Sequence, residues 1–492
     1  MEQSIPYIHN RTKIIATLGP ACDSEETMLE LINSGVDVFR LNFSHGTHEE
    51  HLARIEKIRK INREHNKTIS ILQDLQGPKI RVGMVEGGQV MLEPGQRVEI
   101  STRDQESTAT HITTVYKALP KDVKPGDSIM LDDGKLELKV ISTNGEVVQT
   151  EVVYGGLLKN KKGINLPNTI LSTPSLTEKD TEDLMFGLEH DVDWVALSFV
   201  RSSIDILLLK HIIKQKGKSA RVISKIEKPE AISIENLDAI IDASDAVMVA
   251  RGDLGVEIGI ENVPMVQKEI VRKCARLAKP VIIATQIMES MMENPRPSRA
   301  EASDVANSVL DGADAVMLSG ETAAGKYPVK VVQTMENIIR NAEKENSVYD
   351  RNQDLKKEDN ITDKIYDYKN DNNFSNNAAI LAAARLATYI GAKAIVGMTS
   401  SGYTAFRLAS HRPKTDIFVF TSNKGLLTQL NLLWGVRAFY YNKFVSTDQT
   451  FQDIQDILVE KGMVAKGDEV IQLASMPIDQ KLRTNVIKLS KV

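Results

Sequence analysis

The feature that most constrains this chain is a recurrence. From residue 13 onward, short β-branched apolar runs alternate with longer amphipathic segments. Such alternation is what repeated strand–helix units around a parallel sheet require, because each helix carries the chain back to the start of the next strand. The runs are KIIATL (13–18), VDVFRLNF (36–43), SILQDL (70–75), DWVALSF (193–199), ARVISKIE (220–227), AVMVARG (246–252), PVIIATQ (280–286) and DAVMLSG (314–320). Eight of them predict an α/β fold, a (β/α)8 barrel of the TIM type, whose active-site groups gather at the C-terminal strand ends.

One connection breaks the rhythm. Residues 83–167 separate the third strand from its helix, which is expected to begin near Thr177, and this is far longer than a βα loop. The stretch holds EPGQRVEI, KPGDSIML, DDGKLELKVI and STNGEVVQTEVV, with Asp133-Gly134 and Asn144-Gly145 as hairpin signals. It predicts a small β-barrel lid inserted into a discontinuous barrel of residues 11–82 and 168–342. Residues 343–376, rich in Lys, Asp, Glu and Asn, read as a charged linker or surface segment. Residues 377–492 read as a smaller C-terminal α/β domain, with a helix in NNAAILAAARLATYIG ending at Gly391 and strands in AIVGMTS, IFVFTS, VRAFYY and DEVIQLAS.

Composition removes several function classes. The 492 residues suit about three domains, and 61 Lys plus Arg against 66 Asp plus Glu leave a net charge of -5 and no basic field for nucleic acid. Cys22 and Cys274 are too few and too far apart in sequence for a disulfide framework or a thiolate metal site. No apolar run approaches the ~18 residues of a membrane-spanning helix, and MEQSIPYIHNR lacks a signal pattern. The expectation is a cytoplasmic protein with neither a membrane nor a nucleic-acid partner.

Side chains two apart on a strand share a face. ISKIE therefore presents Lys225 with Glu227, and ARGD presents Arg251 with Asp253 if the extended conformation continues. Carboxylates at adjacent strand ends can hold one hard divalent cation and leave positions for water and substrate oxygens. The plainer alternative is a Lys225–Glu227 ion pair without a ligand. RLNFSH places Arg40, Asn42 and Ser44 on one face, and Asp74 ends the third strand. That set suits phosphate and cation oxygen chemistry, although Asn42 and Ser44 would also serve as helix caps. Thr285 and Ser319 add hydroxyls at the ends of strands seven and eight, where each could equally be a cap. GETAAGKY (320–327) approaches a phosphate-binding loop, but Tyr327 stands where that loop needs Ser or Thr, and Pro328 follows. His48 and His51 are expected on the polar face of the second helix. His45, beside the strand end, is the histidine of interest.

The motifs, in order, resemble the pyruvate kinase family: KIIATLGPA (13–21), RLNFSHG (40–46), DLQGPKIR (74–81), LDDG (131–134), KKGINLP (161–167), ISKIE (223–227), MVARGDLG (248–255), ATQIMESM (284–291), the run NPRPSRAEASDVANSVLDGADAVMLSGETAAGKYP (294–328) and TSSG (399–402). The resemblance implies phosphoryl transfer from phosphoenolpyruvate to ADP, giving pyruvate and ATP, a step of glycolysis. It implies Mg2+ (or Mn2+) on Glu227 and Asp253, Lys225 neutralising the transferring group, and Arg40 and Arg81 on phosphate oxygens. The amides of Gly252 and Asp253, with Thr285, would hold the substrate carboxylate; Thr285, with Ser319, would organise enolate protonation. Lys162, His45 and Asn42 would line the nucleotide side. Family members that need K+ bind it through positions matching Asn42, Ser44, Asp74 and the Leu75 carbonyl, and carry Glu where this chain has Lys79; activity independent of K+ is expected. TSSGYT, with Thr399, Ser400, Ser401, Gly402 and Thr404, resembles an effector phosphate loop, but SMPIDQKLRTN (475–485) lacks the glycines of fructose 1,6-bisphosphate-activated members. Another sugar phosphate or a nucleotide is an equal candidate effector, as is none. A homotetramer also follows from the resemblance. The competing readings are a metal-dependent phosphoenolpyruvate or pyruvate barrel lyase or aldolase, and a non-catalytic relative. The last would be expected to have lost a metal ligand or Lys225.

Overall fold

The computed structural model describes residues 10–167, 169, 172–349, 373–443, 446–477 and 483–492. All eight expected strands form: β1 Lys13–Thr17, β2 Val36–Asn42, β3 Ser70–Asp74, β4 Trp194–Leu197, β5 Arg221–Ile226, β6 Ala246–Ala250, β7 Val281–Ala284 and β8 Ala315–Leu318. Each pairs in parallel with the next, and Lys13 opposite Ala315 returns β8 to β1, closing the barrel. Inward side chains fill it, among them Ile15, Val38, Leu72, Trp194, Ile223, Met248, Ile282 and Met317, and Leu432 of the C-terminal domain packs into the same cluster. The barrel is thus a packed core whose chemistry is confined to its rim.

Every strand ends one or two residues before its sequence run does. At β6 this changes a reading. The chain enters the helix Arg251–Ile258 directly after Ala250, so Arg251 and Asp253 do not share a strand face. Arg251 turns to Asp304 (2.7 Å) and Asp253 to Lys79 (3.1 Å). The histidine expectation is corrected as well. His51 is buried, stacked on Phe43 at 4.0 Å and bonded to the His45 carbonyl, because it lies on the stripe of Ile55 and Ile58 that faces the barrel.

The helix after the insertion, Glu178–Glu189, starts where Thr177 caps it, in a reciprocal box with Asp180. The insertion itself is a curled six-stranded sheet, in the order 164–165, 128–131, 136–143, 147–154, 97–101, 111–113, with a ribbon pairing 89–92 and 156–159. Both hairpin signals lie at its turns, with positive φ at Asp133, Gly134 and Gly145. Most of the charged segment 343–376 lies outside the described residues. Its last three residues already belong to the helix Phe374–Ile390, so the C-terminal domain begins slightly earlier than expected, and left-handed Gly391 closes that helix. The C-terminal sheet has the order 436–440, 416–421, 394–398, 469–474, 486–491, its last strand antiparallel. That edge strand, VIKLSK, was not among the expected ones.

Candidate active site

The barrel rim gathers the predicted charges into one network. Asp74, buried at the end of β3, accepts from Arg40 Nε at 2.7 Å, and Arg40 Nη1 reaches Thr17 Oγ1 at 3.0 Å. Lys225 Nζ lies 2.9 Å from Glu227 Oε1, 3.4 Å from Asp74 Oδ1 and 2.8 Å from Ser198 Oγ. Glu227 Oε2 accepts from the Phe199 amide at 2.7 Å. Burial opposes the charge on Lys225, yet Asp74 and Glu227 more than offset it and hold its pKa above the ordinary value. Burial opposes ionisation of Asp74 too, and Lys225 and Arg40 overcome it, leaving that carboxyl below its usual range. Glu227 goes the other way: burial raises it, Lys225 pulls it down and the like charge of Asp253 pushes it up again.

The like charge of half-buried Asp253 acting on buried Glu227 is what a divalent cation would relieve, so the two carboxylates fit Mg2+. Mg2+ commonly takes only one or two protein carboxylates and leaves its other positions to water and substrate oxygens. Thr285 is unusual for a β-branched residue: its φ is +67°, a strained conformation of the kind that clusters at functional sites. Its hydroxyl accepts from the Gly252 amide at 2.8 Å and donates to the Ala284 carbonyl at 2.7 Å. Ser319 precedes the short helix Gly320–Ala323, and its amide is held by Glu321 at 2.7 Å.

Among the residues matched to the nucleotide, His45 is held below its ordinary pKa by burial and then by Arg81, Arg40 and Lys79, a cationic surround suited to an anionic ligand. Arg81 donates to the Lys161 carbonyl at 3.2 Å. Lys162 is not brought to the Arg40–Lys225 cluster; it pairs with Asp132 of the lid at 2.7 Å. Of the groups matched to a monovalent cation, Asn42 Oδ1 accepts from the Ser44 amide at 3.1 Å, Asp74 serves Arg40 and Lys225, and the Leu75 carbonyl accepts from Ser198 Oγ at 2.7 Å. Sequence reasoning missed Ser198 and Glu321: Ser198 directly follows the end of β4, where the rule used for Lys225 would find it, whereas Glu321 lies inside the short helix Gly320–Ala323, which no strand rule marks. The GETAAGKY segment does not act as a cradle, since Lys326 turns outward to Glu293.

Away from the rim, Thr399, Ser400, Ser401 and Thr404 line a cavity of about 310 Å³ together with Asn376, Arg483 and Thr484. Gly402 donates to Thr399 Oγ1 at 2.9 Å and precedes the helix Tyr403–His411. Residues 478–482 of the SMPIDQKLRTN stretch lie outside the described residues.

A closed barrel whose rim brings Lys225 and Arg40 together with the carboxylates Asp74 and Glu227, with a lid domain inserted after β3, is the framework of an enzyme that handles anionic substrates. The model of the pyruvate kinase barrel domain matches residues 9–332, and that of the pyruvate kinase alpha/beta domain matches residues 377–490. A pyruvate kinase of Staphylococcus epidermidis is 43% identical over 485 residues, 98% of this chain and 80% of that one. One from Staphylococcus aureus is 43% identical over 484 residues with the same coverage. The crystal structure of a pyruvate kinase from Cryptosporidium parvum superposes with a TM-score of 0.88 at 33% identity, covering 98% of this chain and 96% of that one. The chain belongs to the pyruvate kinase family and is a phosphotransferase.

Proposed function

We propose that the rim network performs the family's reaction, transfer of the phosphoryl group of phosphoenolpyruvate to ADP. The observation that carries this reading is Lys225, held between Asp74 and Glu227 beside the predicted cation site. In the transfer the bond from phosphorus to the enol oxygen breaks, a bond to the terminal phosphate oxygen of ADP forms, and the enolate takes a proton to become pyruvate. Little covalent chemistry falls to the protein; positioning and charge stabilisation dominate. Lys225, fully charged, faces the moving group, and Arg40, fixed by Asp74 and Thr17, grips its oxygens. The Gly252 and Asp253 amides at the helix N-terminus, with Thr285, receive the substrate carboxylate. Thr285 and Ser319 order the water that protonates the enolate. Glu227 and Asp253 would hold Mg2+ or Mn2+, which would supply Lewis-acid polarisation of substrate oxygens. Arg81, His45, Asn42 and, on lid closure, Lys162 take the ADP phosphates, and the closed lid excludes water.

Lys79 supports activity without K+ because it is an ammonium where K+-dependent relatives carry a carboxylate; its partner in the structure is Asp253, at 3.1 Å. The 310 Å³ cavity, walled by hydroxyls and Arg483, supports a phosphorylated effector in the C-terminal domain. Self-association as a homotetramer rests on the family resemblance alone. Among the described residues no helix is long and apolar enough to cross a membrane, and we place the enzyme in the cytoplasm. A lyase or aldolase reading leaves the lid and Arg81 without a role. The test is pyruvate release that requires ADP, measured with K+ and with K+ replaced by tetramethylammonium. Absence of ADP-dependent release, with phosphoenolpyruvate or pyruvate instead joined to a second carbonyl substrate, would favour the lyase or aldolase.

A further inference from the structure

Each of the two carboxylates matched to the cation has a buried charged neighbour that the mechanism does not use. Lys228 follows Glu227 in the chain, and Glu257 lies one turn beyond Asp253 on the helix Arg251–Ile258. Their side chains, 3% and 2% exposed, form an ion pair at 2.8 Å. Asn165, on the last lid strand, donates to the other Glu257 oxygen at 3.3 Å. Phe199, whose amide holds Glu227, and Lys79, which holds Asp253, line the same small gap of about 10 Å³ as Lys228 and Glu257.

A buried ion pair adds little net stability, because desolvating two charges offsets most of their attraction. What such a pair does supply is a fixed distance between the segments it joins. Here the joined segments are the end of β5, carrying Glu227, and the helix carrying Asp253. We propose that Lys228 and Glu257 are positioning residues that set the spacing of the two metal ligands, and that Asn165 ties this spacing to the base of the lid. The inference rests on the reading of Glu227 and Asp253 as cation ligands. Outer-shell partners of this kind change metal affinity by about 10–100-fold when removed.

The test is Mn2+ binding to the free protein, read from the electron paramagnetic resonance signal of unbound Mn2+. The double variant Lys228→Met/Glu257→Gln keeps side-chain volume and leaves the net charge of the site unchanged, so altered affinity reports geometry rather than field. It is expected to bind Mn2+ about tenfold more weakly. Lys228→Arg, which preserves the pair, is expected to stay within about twofold of the unaltered protein. Glu257→Asp keeps the charge but shortens the arm; it is the variant to use if the double variant does not fold, and a several-fold loss is expected. Double-variant affinity equal to that of the unaltered protein, with only a changed melting temperature, would show the pair to be structural and overturn the proposal while leaving the cation reading intact. No Mn2+ binding by the unaltered protein would overturn both.

Discussion

Replacing Lys225 with Met keeps the length and bulk of the side chain and removes one buried positive charge. Asp74 would keep Arg40 at 2.7 Å, whereas Glu227 would keep only the Phe199 amide. Stripping one partner from a buried pair costs about 3–5 kcal/mol if the other stays ionised, and Glu227, already raised by burial and by Asp253, would escape that cost by taking up a proton. The fold should therefore survive with a modest fall in melting temperature. Catalysis should not, because a fixed donor aimed at developing charge is worth about 2.7–4 kcal/mol, or 10²–10³ in kcat. Since Arg40, Gly252 and Thr285 are untouched, KM for phosphoenolpyruvate should move much less than kcat. The assay is steady-state pyruvate release at saturating ADP and Mg2+. A kcat within tenfold of the unaltered enzyme would refute the role given to Lys225.

Three further outcomes are expected. Exchanging K+ for tetramethylammonium should leave activity unchanged, and Lys79→Met should lower it and make it respond to added K+; a K+ requirement in the unaltered enzyme would contradict the role of Lys79. Asp193, buried between the barrel and Thr428 of the C-terminal domain, is raised by burial from its ordinary 3.8 to about 6. Its folded-state pKa lies above the unfolded one, so its contribution is full below about pH 4 and is lost as pH rises through about 6, a swing of about 3 kcal/mol. Melting temperatures of Asp193→Asn should accordingly gain on the unaltered protein by several degrees between pH 4.5 and 7.5, and parallel curves would refute the assignment. Titrating phosphorylated sugars and nucleotides against phosphoenolpyruvate saturation should identify any effector, and Arg483→Ala should abolish its effect.

The barrel was legible because eight short apolar runs are bounded by polar residues, and seven of them are followed by an evident helix pattern. The insertion was legible as an excess of chain with hairpin turns. What could not be read were features set by contacts distant in sequence. VIKLSK looks like a charged surface segment until its pairing with Glu469–Ala474 makes it an edge strand, where lysines are usual. His51 looks polar until Phe43 and the barrel wall cover it. Arg251 and Asp253 obey strand alternation on paper, but the Gly252 amide bonds to Thr285 and the chain is helical from Arg251. In the site, Lys225, Glu227, Arg40 and Asp74 were visible because charges ending apolar strands converge at a barrel rim. The attachment of Lys162 to Asp132 and the Lys228–Glu257 pair depend on how loops and lid pack, which spacing does not encode.

The most direct test of the account is stoichiometry. With phosphoenolpyruvate, ADP and Mg2+ and no K+, purified enzyme should form pyruvate and ATP in equal amounts, and Glu227→Gln should stop both together. Pyruvate formed without ADP, or undiminished turnover in Glu227→Gln, would contradict a phosphoryl transfer organised around Lys225 and the Glu227–Asp253 pair.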